Sequence, residues 1–139
     1  MTSDRVRNSC YLYVEDDAPS RKVVELIMQR AMGVQDLVMF PDSVDFMTRL
    51  KALPRKPDII LMDIHIRPQN GFTLLSQIRA DSDCQHIKVV AVTASVMNEE
   101  VERLRASGFD GAVGKPLNMG EFPTLIERIL DGETVWYVV

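Results

Sequence analysis

Short apolar runs alternate with longer amphipathic segments along this chain. Apolar runs of this length, bounded by turn residues, are typical of strands buried on both faces. Between them, apolar positions recur every three or four residues, which predicts helices packed by one face. The predicted strands cover residues 10–14, 37–40, 58–62, 87–92 and 112–114, and the predicted helices cover 18–32, 42–53, 72–80, 98–107 and 119–130. Five alternations with short connections indicate a parallel sheet with helices on both faces.

Polar caps and glycines set the predicted helix ends. Asp17 is placed to cap the first helix, and Gly33 to stop it. Asp42 or Ser43 is predicted to cap the second helix, and Gly132 to terminate the last.

Length and composition favour one soluble globular domain. The chain has 139 residues, of which 46% are hydrophobic and 26% charged. We find no apolar run long enough to span a bilayer and no signal-peptide segment at the start, so we expect a cytoplasmic protein without membrane insertion. Sixteen basic against 20 acidic residues give a net charge of -4, which argues against direct nucleic-acid binding. Cys10 and Cys84 have neither metal-site nor redox-motif spacing and are expected to stay reduced.

Polar side chains follow four of the five apolar strands. The strand-end residues are Glu15, Asp16, Asp17, Asp63, Thr93 and Lys115. Each one alone is most often a helix cap or a solvated loop residue. In an open parallel sheet, however, the carboxyl ends of the strands lie at one edge, where ligands bind. Crowded carboxylates need a cation to ionise together, and hard oxygen ligands of this kind suit Mg²⁺.

Four ordered motifs resemble the receiver domain of two-component response regulators. They are Val14-Glu15-Asp16-Asp17, Pro57 to Asp63 with Gly71 eight residues later, Ala91-Val92-Thr93-Ala94, and Gly114-Lys115-Pro116-Leu117. The resemblance covers residues 9–130 and leaves 131–139 as an apolar C-terminal tail. It implies a single domain of flavodoxin-like fold, with a five-stranded sheet of order 2-1-3-4-5.

The resemblance also implies a function for the strand-end residues. Asp63 would be phosphorylated, Thr93 would contact the phosphoryl group and Lys115 would pair with it. The implied Mg²⁺ ligands are Glu15, Asp16, Asp63 and the backbone carbonyl of His65. The protein would then be a stand-alone regulator that catalyses only its own phosphorylation and dephosphorylation. It would receive the group from a histidine kinase or a phosphotransfer protein, and act on a downstream protein target or in a phosphorelay.

Two positions depart from the family pattern. The proline usually found four residues after the phosphorylated aspartate is replaced by Arg67, and Pro68 follows. The aromatic residue usually found three residues before the lysine is Ala112, so a switch by that side chain is absent. The resemblance further predicts a cis peptide bond between Lys115 and Pro116.

Three other functions compete with this interpretation. A haloacid-dehalogenase-type phosphatase needs a second aspartate two residues after the nucleophile, where this chain has His65. A flavodoxin-like flavin carrier binds a phosphate in its first loop, which the acidic residues from Glu15 to Asp17 would repel. A receiver-like interaction module that is never phosphorylated stays open.

The tail contains five consecutive apolar or aromatic residues, 135–139, including the single tryptophan, Trp136. Such a segment is unlikely to be left in water. It is expected either to fold back on the helices of its own chain or to contribute to a homodimer or partner-binding face.

Overall fold

The computed structural model describes residues 2–94 and 97–137. Within these residues, a parallel sheet of six strands has the order β2-β1-β3-β4-β5-β6. The strands are β1 (Cys10–Val14), β2 (Asp36–Phe40), β3 (Ile59–Asp63), β4 (Lys88–Thr93), β5 (Gly111–Gly114) and β6 (Val135–Tyr137). The predicted order of the first five strands is confirmed. The prediction of only five strands is wrong, because the tail adds β6.

Helices cover both faces of the sheet. They are α1 (Asp4–Asn8), α2 (Ala18–Glu25), α3 (Phe46–Lys51), α4 (Gly71–Ala80), α5 (Asn98–Ser107) and α6 (Phe122–Leu130). The predicted helix over 18–32 is α2 followed by a π-helical segment, Leu26–Ala31. Helix α1 was not predicted, since Val6 is its one buried residue.

The core consists of two layers, one on each face of the sheet. Neighbouring strand residues point to opposite layers, so Ile60 packs with Leu74 and Leu104 on one face while Leu61 packs with Ile126 on the other. All five of these side chains are fully buried. This burial on both faces explains why the strands are continuously apolar in sequence.

Helix α3 begins later than predicted, and neither Asp42 nor Ser43 caps it. The residue before the helix is Asp45, which has a left-handed backbone with φ of 49° and makes no capping hydrogen bond from its side chain. Ser43 is buried and bonds across to the next loop: its Oγ accepts from the backbone N of Gln69 at 2.7 Å and donates to the Gln69 carbonyl at 2.8 Å. The serine therefore joins two loops.

Helix α4 follows the loop after β3 and starts at a side-chain cap. The Asn70 side chain accepts a hydrogen bond from the backbone N of Thr73 at 3.0 Å. Replacing Asn70 with Ala should lower the free energy of unfolding by about 1 kcal/mol, because a backbone donor loses its partner. Urea unfolding measures this loss. Asn70→Ser restores an acceptor and should recover most of it, and equal stability of all three proteins would contradict the capping role.

The tail pairs with the edge of the sheet and does not simply fold back on the helices. Val135 pairs in parallel with Gly111, and Trp136 with Ala112. Val135 is buried, and the Trp136 ring lies 5.0 Å from the Arg105 guanidinium of α5. A sixth strand satisfies backbone groups that β5 would otherwise expose. The homodimer remains a prediction, and residues 138–139 lie outside the described chain.

Gly111 is the point of closest approach between β5 and β6. A Cβ atom at this position would lie 2.5 Å from the carbonyl oxygen of Val135. Only glycine leaves room for the β6 backbone at this distance.

Two sequence-based exclusions concern the membrane and the cysteines. Among the described residues, no helix combines the length and apolar character needed to cross a membrane. Cys10 and Cys84 are buried and are not joined by a disulfide.

Candidate functional site

The predicted site residues meet at the carboxyl edge of the sheet. Asp63 and Thr93 are the last residues of β3 and β4, and Glu15 directly follows β1. Thr93 is fully buried, and its carbonyl accepts a hydrogen bond from the backbone N of Lys115 at 2.8 Å. The parallel topology therefore brings together residues from four separate motifs.

Three carboxylates form the centre of the site. One oxygen each from Glu15, Asp16 and Asp63 lies within 4.8 Å of the other two. Glu15 is fully buried and Asp63 is 6% exposed, whereas Asp16 is open to solvent. Three hard oxygen donors, with one side open for water, fit the coordination that Mg²⁺ prefers.

Glu15 is held by hydrogen bonds on both of its carboxylate oxygens. Its Oε1 accepts from the Tyr13 hydroxyl at 2.9 Å and from Lys115 Nζ. Its Oε2 accepts from the backbone N of Asp17 at 3.4 Å. These partners fix the buried carboxylate in one orientation.

Lys115 lies between two of the carboxylates. Its Nζ forms an ion pair with Glu15 and lies 3.9 Å from Asp63 Oδ2. Its side chain is 22% exposed, so the charge is largely shielded from water. A cation this close to Asp63 can stabilise negative charge that develops there.

Burial and the neighbouring Glu15 raise the pKa of Asp63 from 3.8 to about 6. The backbone N of His65, which donates to Asp63 Oδ1 at 3.0 Å, acts in the opposite direction. Burial would also raise the pKa of Glu15, but hydrogen bonds from Asp63, Lys115 and Tyr13 outweigh it and lower that pKa. The two carboxylates are thus unequal: Glu15 is the stable anion, and Asp63 ionises only at higher pH.

Asp17 does not join this cluster. Its side chain is exposed and caps α2 by accepting from the backbone N of Ser20 at 2.9 Å. The predicted cap is therefore confirmed. The side chain of His65 is exposed, and a metal contact by its carbonyl stays a prediction.

Sequence reasoning missed that Tyr13 and Arg67 contact carboxylates of the cluster. Tyr13 lies two residues before Glu15, and the alternation of side chains along a strand could have indicated that the two share a face. Arg67 Nη2 lies 3.7 Å from Asp16 Oδ2. This contact depends on the path of the loop after β3, for which the sequence holds no comparable signal.

The two departures from the family pattern lie in different surroundings. Ala112 is fully buried in β5, next to Trp136 of β6. Arg67 is exposed in the loop after β3. The peptide bond between Lys115 and Pro116 is cis, as predicted, and the bond between Arg67 and Pro68 is also cis.

Similar structures share this fold. The signal receiver domain of a DNA-binding response regulator (merR) from Colwellia psychrerythraea is 21% identical, with a TM-score of 0.78 over 89% of this chain and 99% of that chain. The chemotaxis response regulator CheY4 of Vibrio cholerae is 20% identical, with a TM-score of 0.76 over 88% of this chain and 98% of that one. The Mn²⁺-bound form of response regulator Rcp1 is 21% identical, with a TM-score of 0.70 over 87% and 91%.

Sequence comparison identifies relatives and a family. The polar-differentiation response regulator DivK of Brucella anthropi is 34% identical over 79 residues, which are 57% of this chain and 64% of DivK. The matched region thus spans less than two thirds of that relative. The family profile of the response regulator receiver domain matches residues 11–127. Four ordered motifs, the sheet order and this match together show that the chain belongs to the response regulator receiver domain family.

Proposed function

We propose that Asp63 is the phosphoacceptor of this receiver domain. The observation that carries the proposal is a largely buried carboxylate with Lys115 Nζ 3.9 Å from one of its oxygens, at the edge where parallel strands bind ligands. A carboxylate nucleophile must approach a group already rich in negative charge. A shielded cation at this position lowers the cost of that approach.

A divalent cation, Mg²⁺, would be held by Glu15, Asp16 and Asp63. The three oxygens fit it by their spacing and chemistry, and the Mn²⁺-bound form of the structurally similar Rcp1 supports such a site. When bound, the cation would neutralise charge on the transferred phosphoryl group. We infer that the His65 carbonyl completes the ligand set.

In the transfer step, an Asp63 oxygen attacks the phosphorus of the donor. The new bond joins this oxygen to phosphorus and makes Asp63 an acyl phosphate. The bond from phosphorus to the donor breaks, and the leaving group departs with the electron pair. Lys115 pairs with the phosphoryl oxygens, and the hydroxyl of Thr93 contacts them from the end of β4. Glu15 and its bonds to Tyr13 keep Lys115 in place.

The donor would be a histidine kinase or a phosphotransfer protein in the cytoplasm. The phosphorylated domain would act on a downstream protein target or pass the phosphoryl group to the next carrier of a phosphorelay. Self-association and catalysis limited to the domain's own phosphorylation and dephosphorylation belong to the same proposal.

Labelling by acetyl phosphate tests the proposal directly. With Mg²⁺, the protein should take up one phosphoryl group, detected by intact-protein mass spectrometry, and Asp63→Asn should abolish the uptake. Asp16→Asn should need more Mg²⁺ for the same uptake, because a charged ligand is lost. Asp17→Asn is the matched control, since it removes a neighbouring charge outside the cluster and keeps the helix cap.

Two results would overturn the assignment. One is labelling of Asp63→Asn to the same extent as the unaltered protein. The other is the absence of any labelling of the unaltered protein with Mg²⁺, which would favour a receiver-like interaction module that is never phosphorylated.

A further inference from the structure

Within the part of the chain that the structure describes, two cationic side chains form ion pairs with the carboxylate cluster, Lys115 and Arg67. Lys115 approaches from within the protein and pairs with Glu15. Arg67 approaches from solvent: its Nη2 lies 3.7 Å from Asp16 Oδ2, and its side chain is 84% exposed. The arginine is therefore the cation of this site that is free to change its partner.

The backbone beside Arg67 is fixed although its side chain is not. The Arg67 carbonyl accepts a hydrogen bond from the backbone N of Ser43 at 3.0 Å. Ser43, which is buried, also makes two hydrogen bonds to the backbone of Gln69, at 2.7 and 2.8 Å. The backbone is thus tied to the loop before α3 at the Arg67 carbonyl and again two residues later, at Gln69. A long charged side chain on an anchored backbone can reorient without any movement of the loop.

Formal charges show what the arginine would do in each state of the site. The three carboxylates and Lys115 leave two negative charges, and Arg67 offsets one of them. A bound divalent cation offsets both of these negative charges. Asp16 then leaves no excess negative charge for Arg67 to pair with. Conversion of the Asp63 carboxylate to a dianionic acyl phosphate adds one negative charge, which Arg67 would again offset.

We propose that Arg67 is an exchangeable counter-ion of this site: it pairs with Asp16 in the absence of metal and with the phosphoryl group once that group is attached. The arginine consequently competes with the divalent cation and favours the phosphorylated form. This inference rests on the proposed function, since it requires metal and phosphoryl group at the same cluster.

Opposite effects on two ligands test this role. Arg67→Ala should bind Mn²⁺, measured by electron paramagnetic resonance of the free ion, about two- to five-fold more tightly at low salt, as expected for loss of an exposed ion pair. With Mg²⁺ saturating, the same variant should bind beryllium fluoride, an acyl-phosphate mimic measured by fluorine nuclear magnetic resonance, about two- to five-fold more weakly. Arg67→Lys keeps the charge and should restore both affinities towards those of the unaltered protein.

Arg128→Ala is the matched control for net charge. Arg128 forms an exposed ion pair with Glu133 at 3.2 Å, outside the carboxylate cluster. Its replacement should leave both affinities unchanged. Arg67→Ala affinities that equal those of Arg128→Ala, or that change in the same direction for the two ligands, would overturn the role of Arg67.

Failure of the proposed function gives a different result. If Asp63→Asn binds Mn²⁺ and beryllium fluoride as well as the unaltered protein does, or if the unaltered protein binds neither, the phosphoacceptor site itself is wrong and the inference is overturned with it. If Asp63→Asn loses binding but Arg67→Ala changes nothing, the site stands and only the counter-ion role is overturned.

Discussion

Asp63→Asn is expected to stabilise the metal-free protein at pH 7.5. The pKa of Asp63 is raised from 3.8 to about 6, mainly by burial and then by Glu15, so the folded protein holds this proton more tightly than the unfolded chain. The stabilising contribution of Asp63 is therefore complete below about pH 4 and is lost as the pH rises through 6. Asparagine does not ionise, so the Asp63→Asn protein does not lose stability in this way as the pH rises. The advantage in unfolding free energy of Asp63→Asn at pH 7.5 should be on the order of 3 kcal/mol.

Urea unfolding with a chelator, at several pH values, measures this effect. The advantage of Asp63→Asn should shrink between pH 6 and 4, as Asp63 of the unaltered protein takes up its proton. The exposed Glu102 provides a control, because Glu102→Gln removes the same charge from the surface of α5. A destabilised Asp63→Asn protein at pH 7.5, or an advantage that does not vary with pH, would show that burial of this charge is not costly.

Gly111→Ala is expected to detach or displace β6. The added Cβ would lie 2.5 Å from the Val135 carbonyl oxygen, and a backbone atom cannot move aside as a flexible side chain does. Loss of the buried Val135 and of the packing of Trp136 should lower the free energy of unfolding by about 2–4 kcal/mol. Since Trp136 is the single tryptophan, its fluorescence should shift to longer wavelength and become more accessible to a quencher.

Deletion of residues 134–139 tests whether the cost of Gly111→Ala comes from the clash with β6 or from a general intolerance of β5 to a side chain at this position. In the truncated chain, Gly111→Ala should be nearly neutral, because the atoms that it meets are gone. Gly120→Ala is the control in the full chain: its Cβ would meet only the flexible Asn118 side chain, at 3.3 Å. An equal cost of Gly111→Ala in both chains would show that β6 is not the cause. A lower tendency to self-associate in the truncated chain would support the homodimer.

Hydrophobic patterning predicts the central part of this fold. Strands β1 and β3 lie between two helical layers, so every position from Cys10 to Val14 is buried and apolar, and the signal is strong. The tail, residues 135–139, is also a continuous apolar run, but that pattern does not indicate its pairing as β6, which depends on the free edge of β5. Helix α1 contacts the end of α6 through ion pairs from Arg5 to Glu127 of α6 and to Asp131 just after it, and no local sequence pattern predicts these pairs.

The candidate site was predictable in its residues but not in its pairings. Polar residues at strand ends must converge when the strands are parallel, which is why Glu15 and Asp63 were found. That Lys115 pairs with Glu15 and lies farther from Asp63 depends on side-chain orientations. Likewise, the cap of α3 was mispredicted because Ser43 bonds to a loop that lies 26 residues away in sequence.

The register of the sheet decides where a reporter group can be attached. Asp63 lies beside Val92, Val92 beside Val113, and Val113 beside Tyr137. Three strand spacings place the backbone of Tyr137 about 14–15 Å from that of Asp63. Helix α1 directly precedes β1 and therefore lies towards the amino ends of the strands, away from Asp63 at their carboxyl ends. A spin label or dye joined after Tyr137 would sense events at Asp63, whereas a purification tag is better placed before α1.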